Sequence, residues 1–409
     1  MSQTSIHKSK IKVVLLEGLH SNAPQLFKDD GYTQIECYDK ALSDEELKAV
    51  LADANFVGIR SRTKITLDIL NHAPKLAAIG CFCIGTNQVD LAAARSHGVP
   101  VFNAPFANTR SVAELVLGEM LLLIRGIPEK NAAAHRGQWL KTAKGSHEAR
   151  GKTLGIVGYG HIGTQLGLLA ESLGMQVIFF DILKKLSLGN AQAVASMEQL
   201  FAQANIVTFH VPETPQTKNL LNHENIGLLK DEAIVINASR GSVIEIPALV
   251  KALQQKKVAG AAVDVFPVEP SSNQQEFLSE LIPFDNVILT PHIGGSTLEA
   301  QANIGIEVAE KLIHYSNNGS TIGAVNFPQV ALPTHTGNYR LLHVHKNKPG
   351  VLSQINELFS EESINITAQY LQTYEDIGYV VTDIDRESDE NILEKLKLIP
   401  GTLRSRILY

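Results

Sequence analysis

Residues 153–181 read TLGIVGYGHIGTQLGLLAESLGMQVIFFD, and the fold is decided there. Leu154 to Val157 have the continuous apolar character of a buried parallel strand. Gly158-Tyr159-Gly160-His161-Ile162-Gly163 follows as G-x-G-x-x-G, then a helical run to Gly174, then a second strand closing on Asp181. The glycine string alone recurs by chance. Set between a strand and a helix, with an acid ending the next strand, it is a dinucleotide fingerprint. Gly158 permits a tight turn, Gly160 presents no Cβ to a pyrophosphate, and Gly163 lets the helix approach the sheet. The helix N-terminus offers unpaired N–H groups and partial positive charge to an anion. Asp181 can accept from both ribose hydroxyls and repels a 2′-phosphate, so NAD is expected over NADP, although Lys184 and Lys185 lie close by.

Outward from this unit, the strands MQVIFF, IVTFHV, AIVINA, GAAVDV and VILTPH complete a six-stranded doubly wound sheet ending near Ile293. Before it, strands at 12–16, 56–60, 76–81 and 98–103 alternate with helices, which implies another parallel sheet. The run SVAELVLGEMLLLIR (111–125) is a helix apolar around most of its surface, buried or packed against a second subunit. A helix from Leu298 to Ser316 leads to an Asn-, Gly- and Pro-rich stretch, 317–337, that reads as a linker. The last seventy residues run β-α-β-β-α-β, the ferredoxin-like split motif. The expected domains are 1–107 with 298–330, 108–297, and 338–409.

The chain has 409 residues, 44% hydrophobic and 19% charged, the profile of a globular protein of two or three domains. Its net charge of −6 argues against nucleic acid as the main partner. No secretory signal or membrane-spanning run is legible, so a cytoplasmic protein is expected. Cys37, Cys81 and Cys83 form no disulfide framework and are read as small buried apolar residues. His135, His147, His210 and His223 lack metal-ligand spacing, and no metal is expected.

Three strand ends after the fingerprint carry reactive side chains: Ala238-Ser239-Arg240-Gly241, Phe266 to Pro270, and Pro291-His292-Ile293-Gly294-Gly295. Ligands of an open parallel sheet bind at the carboxyl ends of its strands. There His292 suits a base that takes a hydroxyl proton, Glu269 can orient and charge-stabilise the imidazole, and Arg240 can hold a carboxylate. Together they fit hydride removal from C2 of a small 2-hydroxy acid. Candidate cofactor contacts are Gly158, Gly160, His161, Ile162, Gly163, Asp181, Ala238, Ser239, Arg240, Asp264, His292, Gly294 and Gly295. Arg60 and Arg62, flanking Ser61 at a strand end, fit a phosphate. Backbone N–H groups of the turn 83–87 could hold the substrate carboxylate.

The strings GYGHIG…D, NASRG, AAVDVFPVEP and LTPHIGGST resemble the D-isomer-specific 2-hydroxy acid dehydrogenases. Arg60 to Thr63, Asn103 to Glu114 and His343 to Gly350 extend the likeness to members with a C-terminal ACT domain. The resemblance implies a flavodoxin-like substrate domain interrupted by a Rossmann NAD domain, and an ACT regulatory domain. It implies oxidation of 3-phosphoglycerate to 3-phosphohydroxypyruvate, opening L-serine synthesis, by a homotetramer. Asn108 and Lys141 match substrate-binding positions, the lysine one that can reach a neighbouring subunit's site. His345, Asn347 and Gly350, in the loop after the first ACT strand, with Asn365, match positions that bind L-serine as inhibitor. A single glycine, Gly337, occupies the linker where relatives carry a pair. Another 2-hydroxy acid, such as 2-hydroxyglutarate or glycerate, fits the same residues, as does a non-catalytic NAD-sensing protein.

Overall fold

A computed structural model of the chain describes residues 7–270, 274–333, 339–385 and 390–408. Residues 1–107 and 301–409 form one compact unit, and 108–300 a second. Among the described residues, no helix is long and apolar enough to cross a membrane.

The first unit opens with β1 (Lys12–Leu15), β2 (Gln34–Cys37), β3 (Phe56–Ile59), β4 (Ala78–Cys81) and β5 (Val101–Asn103). All are parallel, in the order β2-β1-β3-β4-β5, the flavodoxin-like arrangement. Central β3 and β4 are buried along their whole length, as a sheet covered on both faces requires. Strand β2 escapes the sequence reading because it is a short, half-exposed edge. Its Cys37 is exposed, which corrects the expectation of three buried cysteines; Cys81 is buried and Cys83 intermediate.

The helix Leu298–Asn318 runs past Ser316. The stretch after it is also more than a linker. Ala324 bridges to Phe102, Val325 N–H donates to Val101, and Phe327 and Val330 are buried in the domain core. Residues 334–338, with the single-glycine hinge at Gly337, lie outside the described residues.

The second unit holds β6 (Thr153–Val157), β7 (Gln176–Phe180), β8 (Gln192–Ala193), β9 (Ile206–Phe209), β10 (Ala233–Asn237), β11 (Val258–Val263) and β12 (Val287–Leu289). The order β12-β11-β10-β9-β6-β7-β8 is a Rossmann sheet with seven strands where six were expected. The addition is the two-residue β8, too short for any periodicity to reveal. The helix Thr109–Ile124 buries Val112, Val116, Met120 and Leu123 against this sheet. It also buries a charged residue, Glu119.

The C-terminal part of the first unit contains β13 (Tyr339–Lys346), β14 (Ile366–Tyr374), β15 (Ile377–Ile384) and β16 (Thr402–Leu408), antiparallel in the order β14-β15-β13-β16. Alternation along β13 sends Leu341 toward the helices Val351–Glu361 and Glu390–Leu398, and Leu342 and Val344 into the core of the first domain. Buried Arg340 makes a bidentate pair with Asp383 at 2.6 and 2.8 Å and donates to the carbonyls of Asn318 and Pro333. That cation pins the start of this sheet to the end of the long helix.

Candidate active site

At the end of β6, Gly158 has φ 93°, and a Cβ there would lie 2.3 Å from the His210 carbonyl oxygen. Only glycine fits. Tyr159 is buried and stacks on Phe179 of β7 at 3.9 Å between centroids, which fixes the turn. The space in front of Gly160 is empty to 4 Å, and the helix His161–Ser172 begins there without a side-chain cap. The partial positive charge of that N-terminus favours an anion in front of it. Asp181 accepts from Tyr159 N and Leu183 N, both at 2.9 Å, one on each oxygen, leaving lone pairs on both for hydroxyl donors. Ile182 beside it is 91% exposed and offers an apolar surface. His210, at the end of β9, is pushed down by burial to about 4 and is neutral.

The loops after β10, β11 and β12 meet nearby. Asn237, 1% exposed, accepts from Ser239 N and Oγ and donates to the Arg240 carbonyl, folding the turn that carries Arg240. A Cβ on Gly241 would sit 2.1 Å from the Phe266 carbonyl carbon, so two backbones touch there. Phe266 N donates to Glu269 Oε1 at 3.1 Å, and Glu269 Oε2 meets His292 Nδ1 at 2.9 Å. The Glu269 hydrogen bond raises the imidazole above its ordinary value against the pull of burial and the Arg240 charge. Burial, the largest single influence, pushes Glu269 up, but the His292 bond and charge, the Phe266 N–H and the Arg240 charge together hold the carboxyl below its ordinary value. With Nδ1 engaged, Nε2 is the nitrogen left for proton transfer.

His292 is held at φ 54°, an uncommon conformation for a non-glycine residue. Asp264 holds the loop that imposes it, accepting from Thr290 Oγ1 (2.7 Å), Ile293 N and Gly294 N (both 2.8 Å). At 1% exposure, this carboxylate builds the loop first; one lone-pair site on Oδ2 stays open to a ligand donor. Asn108 is 7% exposed, with its amide against Gly295 and a buried Oδ1 that has no partner among the described residues. Lys141 is exposed on its loop.

In the first unit, Glu17 accepts from the backbone N–H groups of Arg60 (3.1 Å), Arg62 (3.1 Å) and Thr63 (2.9 Å), curling the loop that carries both arginines. Gln88 donates to the Arg60 carbonyl at 2.7 Å and to Gly85 at 3.2 Å, which joins that loop to the 83–87 turn. In the C-terminal domain, His345 belongs to β13 rather than to the loop after it. It lies on the helix-facing side, 4% exposed, with Nδ1 on the Lys346 carbonyl and Nε2 unpaired among the described residues. Asn347 ties to Asp376 and Glu375, Gly350 caps the next helix at φ 91°, and Asn365 is exposed just before β14.

Residues 117–294 match the family model for the D-isomer specific 2-hydroxyacid dehydrogenase NAD binding domain. Residues 341–404 match an AHAS small subunit-like ACT domain. The chain is 60% identical over 411 residues to the D-3-phosphoglycerate dehydrogenase of Escherichia coli (strain K12), covering 100% of both. The chain belongs to the D-isomer-specific 2-hydroxy acid dehydrogenases. A relative from Haemophilus influenzae with the same name is 59% identical over 408 residues, again covering 100% of both chains. Among solved structures, D-lactate dehydrogenase from Aquifex aeolicus, complexed with NAD and lactic acid, matches 74% of this chain and 95% of its own with TM-score 0.65 and 25% identity.

As a dehydrogenase of this family the chain uses NAD, and the observed cradle fits it: an open Gly160, an uncapped helix N-terminus and an acid with free lone pairs. Glu17, Gln88, Asn237 and Glu119 escape sequence reading. Glu17 and Gln88 are polar residues with no motif around them, and their roles appear only when distant loops are brought together; Asn237 opens the NASRG string, but its bonds to Ser239 and Arg240 appear only in the folded turn. Glu119 alone gave a signal, a charge at a buried spacing of an apolar helix.

Proposed function

We infer that this dehydrogenase oxidises D-3-phosphoglycerate at C2 to 3-phosphohydroxypyruvate with NAD, the entry reaction of L-serine synthesis, and that L-serine inhibits it. The supporting observation is the Glu269–His292 pair, with Arg240 acting on both charges, at the carboxyl end of the sheet that carries the fingerprint. His292 Nε2 takes the C2 hydroxyl proton, and Glu269 stabilises the imidazolium that forms. Arg240 holds the substrate carboxylate and polarises the developing carbonyl. Bound NAD supplies the hydride acceptor. Arg60 and Arg62 receive the phosphate, with the 83–87 turn and Asn108 on the remaining polar groups and Lys141 arriving from a neighbouring subunit. Whole-length likeness to enzymes named for phosphoglycerate favours this substrate over 2-hydroxyglutarate.

L-Serine is assigned to His345, Asn347 and Gly350 of one ACT domain and Asn365 of another. A homotetramer is supported by Trp139, 87% exposed, and by the long exposed edge strand β14. Three cysteines without disulfides fit the cytoplasm. NADH formation from D-3-phosphoglycerate and from D-2-hydroxyglutarate, with and without L-serine, tests the reading. A kcat/KM higher for the hydroxyglutarate would reassign the substrate, and indifference to serine would remove the effector.

A further inference from the structure

Within the first unit, the regulatory sheet and the substrate-binding half line an open cavity of about 720 Å³. Its wall carries Lys75, Lys397, Arg404 and Arg406 and no carboxylate, in a chain whose net charge is −6. Arg404 and Arg406 alternate along β16 opposite Val344 and Leu342, so both guanidinium groups leave the sheet on its cavity side. Each guanidinium has five N–H donors. Arg404 donates to the His97 carbonyl at 2.8 Å and Arg406 to the Ser316 carbonyl, and neither has a carboxylate partner among the described residues. Burial pulls the Arg404 guanidinium below its ordinary value. Its stem lies against Gly98 at φ 66°, where a Cβ would come within 3.2 Å, so the backbone is shaped to this side chain. Elsewhere between the same two parts, Arg95 has both Glu375 and Asp376. Of the cavity's cations, Lys397 pairs with Glu394 and Arg406 lies over the Tyr315 ring, whereas Lys75, Arg404 and Arg406 have no carboxylate partner among the described residues.

We propose that this cavity binds a small multiply charged anion of the phosphate or phosphate-ester class, held by Arg404, Arg406 and Lys75. The bound anion bridges the ACT sheet to the substrate-binding half, so its occupancy biases how firmly the regulatory domain is seated. This site is separate from the proposed substrate phosphate site at Arg60 and Arg62.

The test is isothermal titration of pyrophosphate into NAD-saturated full-length protein, so that the fingerprint cannot take the probe. Four proteins are compared: the natural chain, Arg404→Gln, Lys75→Glu, and Arg60→Gln with Arg62→Gln. Lys75 is exposed and unpaired among the described residues, so Lys75→Glu preserves the fold if Arg404→Gln does not. Saturable binding that weakens about tenfold or more in Arg404→Gln and Lys75→Glu, and persists without Arg60 and Arg62, is the expected result. Binding lost only with Arg60 and Arg62 would place the anion in the substrate site and overturn the proposal. No saturable binding, or equal binding by all four proteins, would overturn it as well. Because the readout is binding, failure here leaves the reading of the substrate intact.

Discussion

Replacing Gly241 by alanine introduces one methyl group at the point where two catalytic loops touch. The new Cβ would lie 2.1 Å from the Phe266 carbonyl carbon, 2.2 Å from its oxygen and 2.5 Å from Pro267 N, whereas ordinary contact begins at 3.4 Å. The Phe266 backbone must therefore retreat by 3.4 − 2.1, about 1.3 Å. No flexible side chain absorbs the move, because all three atoms are backbone. Phe266 N is bonded to Glu269, which in turn holds His292, so the displacement reaches the base directly. A misplacement near 1 Å costs on the order of 100-fold in rate, and overpacking of this kind costs about 1–3 kcal/mol of stability. The assay is kcat/KM for NADH formation, beside circular dichroism and a denaturation midpoint. Ser242→Ala, at the next position but with its hydroxyl on exposed Glu213, is the control. A Gly241→Ala enzyme within threefold of the natural one would refute the claim that this contact sets the Arg240–Glu269–His292 geometry.

Glu269→Gln removes the main cause of the raised His292 value. Oxidation needs the neutral imidazole, so its rate rises with pH through that value; the variant's rise should move to lower pH while its plateau falls about 10- to 100-fold. An unmoved pH profile would contradict the pairing. Glu119 is 3% exposed and raised to about 8 by burial first, then by Asp264; the single Thr290 proton already goes to Asp264. Between pH 5 and 8 the folded state thus holds a proton the unfolded state has lost, so stability drains as pH rises, by a few kcal/mol in all. Urea midpoints of Glu119→Gln should show that slope removed, and parallel curves would rule the buried proton out. Arg340→Leu leaves Asp383 buried without its partner and should lose about 3–5 kcal/mol, with partial recovery in the Arg340→Leu, Asp383→Leu double variant. Additive losses in calorimetry would count against the pair.

Much of the architecture was legible because it rests on local signals. The fingerprint needs glycines at fixed spacing, and central strands such as Phe56–Ile59 are unbroken apolar runs. Edge elements were not legible. Gln34–Cys37 is half polar because one side faces water, and Gln192–Ala193 is held only by pairing with β7. The stretch after Asn318 has the composition of a linker yet buries Thr321, Asn326 and Phe327, with Asn326 bonded to Val101 N and the Val99 carbonyl. Long-range hydrogen bonds of that kind leave no trace in composition. At the site, Arg240, Glu269 and His292 could be placed because strand ends converge by topology. The support Glu17 could not, because its partners are backbone N–H groups, which every position but proline possesses.

The most direct test of the central claim is NADH formation from D-3-phosphoglycerate by the natural enzyme and by His292→Ala, with NAD affinity measured for both. Turnover by the natural enzyme, a loss of at least ~100-fold in kcat for the variant, and NAD binding by both are expected. Turnover by His292→Ala close to that of the natural enzyme would contradict the claim, because the proton would then leave by a route that does not pass through the Glu269–His292 pair.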